Sequence, residues 1–156
     1  MEEIKHTLLL ADDDVDDCIF FREALEELPI IASLTTVNDG VELMRLLSGK
    51  LTSFPDMLFL DLNMPRKTGY ECLSEIKSDD KLKHLPVVIL STSFEYDIAN
   101  LLYKNGADFY LRKPGDFSVL KQLIYKTINL VTNLKTKPRS EGSFVVNTNQ
   151  SPLFLH

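Results

Sequence analysis

Acidic side chains stand directly after two apolar runs of the sequence. Asp12, Asp13 and Asp14 follow the first run, and Asp61 follows the third. If the fold brings these runs side by side, the carboxylates crowd together, and such like charges repel unless a cation lies among them. Mg²⁺ is the natural candidate, because it takes oxygen ligands from one or two carboxylates plus waters and phosphate oxygens. The sequence therefore predicts an acidic cluster that binds magnesium.

A purely structural interpretation of these acids competes with the first. Asp14 is well placed to cap the helix that follows it, since a carboxylate there accepts a backbone N–H and favours the positive helix end. Asp61 could simply bond its own turn. However, Asp61 ends an apolar run and precedes a turn with Pro65 and Gly69, so the sheet would hold its carboxylate toward the crevice. A carboxylate beside Mg²⁺ can act as a nucleophile and form an acyl phosphate.

Hydroxyl and basic side chains follow the fourth and fifth apolar runs. Ser91, Thr92 and Ser93 come after the fourth run, and Lys113 comes after the fifth. Ser93 is expected to cap the next helix. Among acids, Lys113 would pair with a carboxylate at rest or with an incoming phosphoryl oxygen. Acids, a hydroxyl and a cation in one crevice are the groups that phosphoryl transfer requires.

The elements that must position these residues follow a regular alternation. Short runs rich in Leu, Val and Ile alternate with segments of helical period, which is typical of repeated βα units. The predicted strands are Thr7–Ala11, Ser33–Val37, Asp56–Leu60, Val87–Leu90 and Phe109–Leu111. The predicted helices are Val15–Leu28, Gly40–Ser48, Gly69–Ser78, Glu95–Asn105 and Phe117–Leu134.

This order of elements predicts an α/β fold, a doubly wound (βα)5 flavodoxin-like three-layer sandwich with a parallel five-stranded sheet. A closed barrel is excluded, because it needs about 250 residues. We expect the strand order 2-1-3-4-5, with the ligand site outside the carboxyl ends of the first and third strands. Residues 1–134 would form this domain. Residues 135–156 show no sustained period and would form a C-terminal tail of unknown role.

Composition and charge limit the function classes. The chain has 156 residues, with 17 Lys and Arg against 23 Asp and Glu, and a net charge of −6. This charge disfavours direct DNA binding and attachment to anionic lipid. Apolar runs stay far below the roughly 20 residues that cross a bilayer, and the first residues lack the basic start of a signal peptide. A cytoplasmic location with Cys18 and Cys72 reduced is therefore expected.

Taken together, these motifs resemble the receiver domain of two-component response regulators. The segments that carry the resemblance are Leu8–Asp14, Leu60–Pro65 with Gly69, Ser91–Thr92 and Tyr110–Pro114. The resemblance spans residues 5–134. Within the family, the acidic opening followed by Val15-Asp16-Asp17 looks most like single-domain, chemotaxis-regulator-like receivers of the phytochrome-associated kind.

The resemblance implies a role for each matching residue of the site. Asp61 would accept a phosphoryl group from a phosphohistidine on a sensor histidine kinase or phosphotransfer protein. Asp13 and Asp61 would bind Mg²⁺ through their carboxylates, Asn63 through its backbone carbonyl and Asp12 through water. Lys113 would contact the phosphoryl oxygens. The protein would thus catalyse only its own phosphorylation and dephosphorylation.

The resemblance also implies a switch that reaches a downstream protein target. Ser91 would swing toward the phosphoryl group and Tyr110 would move inward behind it, which remodels the face of the fourth helix, fifth strand and fifth helix. Thr92 stands where the family often has a smaller residue, and its bulk would narrow the phosphoryl site. A homodimer is also expected, because Phe109 and the apolar patches of the tail could be covered that way.

Two other functions remain open at this point. A Mg²⁺-dependent phosphohydrolase with an aspartyl nucleophile usually carries a second Asp two residues later, where this chain has Asn63. It would also need a cap to exclude water from a small substrate. Alternatively, a receiver-like module could bind its partners without phosphorylation, although Asp12, Asp13, Asp61 and Lys113 are all present.

Overall fold

Strands and helices alternate along the chain in a computed structural model that describes residues 4–49 and 53–148. The strands of the βα units are β1 (Lys5–Ala11), β2 (Ile31–Val37), β3 (Met57–Asp61), β4 (Val87–Ser91) and β5 (Phe109–Arg112). The helices are α1 (Val15–Glu26), α2 (Gly40–Ser48), α3 (Gly69–Ser78), α4 (Tyr96–Lys104) and α5 (Phe117–Thr132). A 3-10 turn (Glu141–Ser143) and a short strand, β6 (Val145–Val146), follow α5.

All six strands form one parallel sheet in the order β2-β1-β3-β4-β5-β6. The predicted fold class and the order 2-1-3-4-5 of the main strands are confirmed. β6 is an addition that the sequence pattern did not predict. It pairs with β5, with Tyr110 opposite Val145 and Leu111 opposite Val146. The segment that was expected to be a tail therefore contributes an edge strand.

The central strands are buried on both faces, which explains their nearly continuous apolar sequence. Every residue of β3 and β4 is buried, as expected for parallel strands that lie between two layers of helices. On one side, α1 and α5 pack against the sheet through Phe21 and Ile124. On the other side, α2, α3 and α4 pack through Leu43, Leu73 and Leu102. The rigid centre of the sheet thereby fixes the positions of the strand ends.

Both ends of α1 have a clear physical cause. The Asp14 carboxylate accepts the backbone N–H of Asp17 at 3.1 Å, which confirms the predicted N-cap. The helix ends at Glu26, two residues before the predicted Leu28. Leu28 precedes Pro29, and the residue before a proline is disfavoured in helical conformation.

The start of the fourth helix differs from the expectation. α4 begins at Tyr96, its N-cap is Glu95, and that residue makes no side-chain cap bond. The prediction that Ser93 caps this helix is therefore wrong. Ser93 instead uses its backbone N–H to donate to the Ser91 hydroxyl at 3.3 Å.

Two of the grounds for a homodimer are not met by the structure. Phe109 is buried inside the sheet, so it offers no exposed surface for a second copy. Phe144 and Val146 of the apolar 143–146 patch are buried in the same chain. The other patch, Pro152–Leu155, lies outside the described residues. In residues 4–49 and 53–148, none of the helices is long and apolar enough to cross a membrane.

Candidate phosphoacceptor site

The carboxyl ends of β1 and β3 bring three acids together. Carboxylate oxygens of Asp12, Asp13 and Asp61 all lie within 4.8 Å of one another. Asp12 and Asp61 are buried, whereas Asp13 is exposed to solvent. We call these three acids, together with Lys113 after β5, the acidic mouth. The acidic mouth lies at the carboxyl ends of β1 and β3, and ligands bind at this position in sheets of this topology.

Asp12 is held rigidly by its neighbours on both sides. Its backbone N–H donates to the Val37 carbonyl at 3.0 Å, which extends the β1–β2 ladder by one residue. One carboxylate oxygen accepts the Asp14 backbone N–H at 3.0 Å. The other oxygen lies 2.8 Å from the Lys113 ammonium. The carboxylate therefore has a fixed orientation toward the mouth.

Asp61 is the last residue of β3 and is only 5% exposed. One of its oxygens accepts the Asn63 backbone N–H at 3.3 Å, and the Asp61 carbonyl faces the backbone of Gly69. A Cβ atom at position 69 would lie 2.3 Å from that carbonyl oxygen. Glycine is therefore required there for steric reasons, and the close approach fixes the turn after Asp61.

Lys113 connects the two acidic strand ends. Its ammonium lies 2.8 Å from Asp12, 2.9 Å from Asp17 and 3.6 Å from Asp61. The backbone N–H of Lys113 donates to the Ser91 carbonyl at 2.7 Å, so the β4–β5 ladder continues up to this residue. The side chain is 16% exposed. A lysine before a proline is usually exposed to solvent, whereas the acidic partners of Lys113 hold it in a largely buried position.

Asp17 was not predicted as a member of this site. It lies in the first turn of α1, 96 residues away from Lys113 in sequence. The signal that could have found it is its position one turn after the N-cap, on a helix that begins at the acidic mouth. An acid placed there can reach back over the carboxyl ends of the strands.

Burial and crowding of charge alter the titration of the central groups. Burial, followed by the negative charge of Asp12, raises the pKa of Asp61 to about 7. Burial lowers the pKa of Lys113, but hydrogen bonds to Asp12 and Asp17 outweigh this effect and the pKa is raised. Lys113 therefore stays charged, whereas Asp61 carries a charge that the protein compensates only in part.

The acidic mouth suits a divalent cation chemically. Three carboxylates, those of Asp12, Asp17 and Asp61, lie within 4 Å of the Lys113 ammonium. The Asp13 carboxylate lies beside Asp12 and Asp61, which leaves an excess of negative charge. Hard oxygen donors of this kind are what Mg²⁺ and Mn²⁺ prefer. Asp12, Asp13 and Asp61 are the residues that could hold such an ion. Asn63 lies two residues after Asp61 in the same turn, and its side chain is exposed. The role predicted for it uses only its backbone carbonyl.

The predicted switch residues lie behind the acidic mouth. Ser91 ends β4 and is buried. Tyr110 is also buried, and its hydroxyl donates to the Ser93 carbonyl at 2.5 Å. The Tyr110 ring lies edge-on to Phe94, with 5.5 Å between the ring centroids. The ring that was expected to move inward thus already occupies an inward position.

A cavity of about 270 Å³ adjoins the acidic mouth between α1 and α5. The charged residues of its lining are Asp12, Asp17, Arg112, Lys113 and Asp116. The rest of the lining is largely apolar and includes Leu120 and the half-exposed Phe20. The ion pairs of Lys113 therefore lie at the edge of a mainly apolar cavity.

The parallel (βα)5 sheet, with three acids and a lysine at its carboxyl edge, defines a doubly wound α/β protein with a candidate cation site. The family model for the response regulator receiver domain matches residues 8–125. This chain belongs to that family, and the resemblance noted in the sequence is confirmed.

Curated relatives support the same assignment. The chain is 34% identical over 120 residues to the probable methanogenesis regulatory protein FilR2 of Methanothrix harundinacea, covering 75% of this chain and 77% of that protein. It is 33% identical over 121 residues to the response regulator Rcp1 of Synechocystis sp., covering 75% of this chain and 82% of that protein.

Solved structures of receiver proteins are similar over nearly their whole length. The phosphorylated cyanobacterial phytochrome response regulator RcpA has 35% identity and a TM-score of 0.73, covering 88% of this chain and 98% of that one. The Mn²⁺-bound form of Rcp1 has 29% identity and a TM-score of 0.69, covering 86% of this chain and 97% of that one. The family places the chain in two-component phosphorelay signalling.

Proposed function

We propose that this protein is a response regulator receiver that accepts a phosphoryl group on Asp61 in a Mg²⁺-dependent reaction. One observation carries the proposal: the sheet places the Asp61 carboxylate within 4.8 Å of the Asp12 and Asp13 carboxylates and 3.6 Å from the Lys113 ammonium. A nucleophile, a set of metal ligands and a fixed cation thus share one crevice. The phosphorylated relative RcpA and the Mn²⁺-bound relative Rcp1 support the same chemistry.

The phosphodonor in this proposal is a phosphohistidine of a sensor histidine kinase or a phosphotransfer protein. An Asp61 oxygen attacks the phosphorus, a P–O bond forms, and the P–N bond to the imidazole breaks. The imidazole leaves with the electron pair and remains as neutral histidine after protonation. Because RcpA is a phytochrome response regulator, a kinase of the phytochrome kind is the first candidate donor.

The residues of the mouth divide the work of this transfer. Asp13 and Asp61 through their carboxylates, Asn63 through its backbone carbonyl and Asp12 through water would hold Mg²⁺, which would supply charge neutralisation for the phosphoryl oxygens. Lys113 contacts those oxygens as a fixed positive charge. In this proposal the protein acts only on itself, through its own phosphorylation and dephosphorylation.

In this proposal the signal is passed on through the hydrogen bonds that link Ser91, Ser93 and Tyr110. Phosphorylation draws the Ser91 hydroxyl toward the phosphoryl group, which removes it from the Ser93 backbone N–H at 3.3 Å. Ser93 also accepts the Tyr110 hydroxyl, so a shift of Ser93 changes the packing of that ring. The face of α4, β5 and α5 then differs between the two states and selects a downstream protein.

The C-terminal segment takes part in this output face. The Tyr110 backbone N–H donates to the Phe144 carbonyl at 2.8 Å, and the two rings lie 6.1 Å apart. A change at Tyr110 would therefore reach β6. We propose that residues 1–134 form the receiver domain and that the segment after them, through β6, modulates partner binding.

The proposal also covers the cellular compartment of the protein and the chemical class of its target. Cys18 and Cys72 are both free and buried, which suits a reducing compartment. We place the protein in the cytoplasm, where sensor kinases expose their phosphohistidine. With a net charge of −6, its target is a protein rather than DNA.

Intact mass spectrometry tests the proposal. Wild type and Asp61→Asn are incubated with Mg²⁺ and acetyl phosphate. Wild type should gain one phosphoryl group, EDTA should prevent the gain, and Asp61→Asn should gain none. A label on Asp61→Asn would show that the acceptor is wrong. No label on wild type, with the cognate kinase as well, would favour a module that signals by binding alone.

A further inference from the structure

Lys113 has one more carboxylate partner than phosphoryl transfer requires. Its ammonium is hydrogen-bonded to Asp12 at 2.8 Å and to Asp17 at 2.9 Å, but lies 3.6 Å from Asp61. Asp17 is not part of the cluster of Asp12, Asp13 and Asp61 that could hold a metal ion. A divalent cation that draws on Asp12 and Asp61 would therefore leave Asp17 as the remaining counter-ion of Lys113.

The surroundings make the Asp17 contact stronger than an ordinary surface ion pair. The Lys113 side chain is 16% exposed and that of Asp17 is 35% exposed. Both line the cavity between α1 and α5, whose other walls are largely apolar, Phe20 and Leu120 among them. The limited exposure of both side chains weakens the screening of the two charges by solvent.

The backbone geometry directs the Asp17 side chain to this place. Asp17 lies in the first turn of α1, and its backbone N–H is fixed by the Asp14 cap. The side chain is therefore free to serve Lys113 rather than the helix. Asp16, the next acid on the same turn, is exposed and is not among the carboxylates within 4 Å of the ammonium.

We propose that Asp17 is a positioning residue that holds Lys113 in the resting protein and competes with the phosphoryl group for its ammonium. This inference deepens the proposed function and rests on it. Formation of the acyl phosphate brings new negative oxygens next to Lys113, and the ammonium must divide its hydrogen bonds between them and Asp17. Asp17 therefore stabilises the unphosphorylated state relative to the phosphorylated state.

The sign of the effect follows from geometry and charge together. Removal of the Asp17 charge frees Lys113 to approach an anion at Asp61 and makes the mouth less negative, so phosphoryl analogues should bind more tightly. The same loss of negative charge should weaken binding of Mg²⁺. A residue with only a structural role would not move these two affinities in opposite directions.

Beryllofluoride, which mimics a phosphoryl group on a carboxylate, is the probe for the test. Binding to the full chain is followed by ¹⁹F NMR at saturating Mg²⁺, and Mg²⁺ alone is titrated by calorimetry. For Asp17→Asn we expect the half-saturating beryllofluoride concentration to fall about three- to tenfold and that of Mg²⁺ to rise about two- to fivefold, as for a charge-assisted contact.

Two variants serve as matched controls. Asp16→Asn removes the same charge from the same helical turn and should leave both affinities within about twofold of wild type. Asp17→Glu keeps the charge and should restore both affinities to within about twofold. The Asp14 cap uses the backbone of residue 17, so the cap is retained in both Asp17 variants, and their circular dichroism spectra should match that of wild type.

Each outcome decides the matter. Tighter beryllofluoride binding by Asp17→Asn alone supports the competition. If Asp16→Asn and Asp17→Asn change the beryllofluoride affinity equally, the change is a general effect of charge and the proposal is overturned. Unchanged or weaker beryllofluoride binding by Asp17→Asn would also overturn the proposal. If wild type fails to bind beryllofluoride with Mg²⁺, the proposed function itself fails, and that result is distinct from a failure specific to Asp17.

Discussion

The acidic mouth and the β5 edge are neighbouring regions that are built on opposite physical principles. We use "β5 edge" for β5, β6 and the side chains Tyr103, Arg139 and Phe144 that pack there. The mouth crowds carboxylates, two of them buried, around one ammonium. At the β5 edge, Phe144 packs against Tyr103 with 5.4 Å between ring centroids, and the Arg139 guanidinium lies 3.9 Å from the Tyr103 ring centre.

The two regions differ in what they contribute to the folded state. Buried charges that are compensated only in part cost free energy of folding, so the mouth does not stabilise the fold. Apolar and cation–π contacts stabilise the fold, and Arg139 also donates to the Ala107 and Tyr103 carbonyls. Changes at the mouth should therefore affect phosphoryl chemistry first, and changes at the edge should affect stability first.

The largest expected effect is that of Asp61→Asn on phosphorylation. Phosphoryl uptake should be abolished, while the fold is kept. Since the pKa of Asp61 is raised to about 7, the ionised group destabilises the folded state progressively as the pH rises toward 7, and fully above it. At pH 8 and without metal, Asp61→Asn should unfold at an equal or higher urea concentration than wild type. A clear loss of stability would contradict this view of the mouth.

Phe144→Ala should produce the reverse pattern. Phe144 is 4% exposed, and truncation of a buried phenylalanine to alanine costs about 3 kcal/mol, or about 100-fold in the folding equilibrium. Urea unfolding measures the loss, and Phe94→Ala, at a position that is 40% exposed, is the matched control with a smaller effect. In Phe144→Ala, the rate of phosphoryl uptake from acetyl phosphate should change by less than about threefold. Loss of uptake with unchanged stability would break the comparison.

The pH dependence of metal binding sharpens the comparison further. Mg²⁺ requires the ionised carboxylate, and burial together with the Asp12 charge raises the pKa of Asp61 to about 7. Lowering the pH from 8 to 6 protonates Asp61 and should weaken Mg²⁺ binding about tenfold. Calorimetric titration at pH 6, 7 and 8 measures this change. An affinity that is constant over this range would mean that Asp61 is ionised well below neutrality or is not a ligand.

Thr92→Ala should give the smallest change. Thr92 directly follows Ser91 and its side chain is exposed. Its bulk should therefore restrict access of the phosphodonor to the mouth and contribute little to packing of the core. Removal of the extra atoms should speed uptake from acetyl phosphate about two- to threefold, with unfolding unchanged. The time course of intact mass measures the rate. A slower reaction would show that the threonine hydroxyl assists the transfer.

The sequence predicted the mouth well because its signals are local. Each acid, hydroxyl or lysine follows a short apolar run, and the rules of parallel sheets bring the carboxyl ends of such runs together. Asp12, Asp61, Ser91 and Lys113 could therefore be placed from residue type and position alone. The positions of the helices followed from the period of their apolar residues, with errors of one or two residues at the ends.

The contacts that the sequence did not reveal depend on distant partners. Asp17 meets Lys113 across 96 residues of chain, and a helix surface acid gives no local sign of that contact. β6 has only two residues, which is too short for a recognisable strand period. Its pairing is decided by the free edge of β5 and by the fit of Phe144 beside Tyr103 and Tyr110.

Chemical trapping of the phosphorylated residue tests the central claim most directly. Wild type is incubated with Mg²⁺ and acetyl phosphate, reduced with borohydride, which converts an aspartyl phosphate to homoserine, and digested for peptide mass mapping. We predict homoserine at position 61 only, and none when EDTA is present. Homoserine at Asp12 or Asp13, or a stable phosphoserine at Ser91 with Asp61 unchanged, would contradict the assignment of Asp61 as the phosphoacceptor.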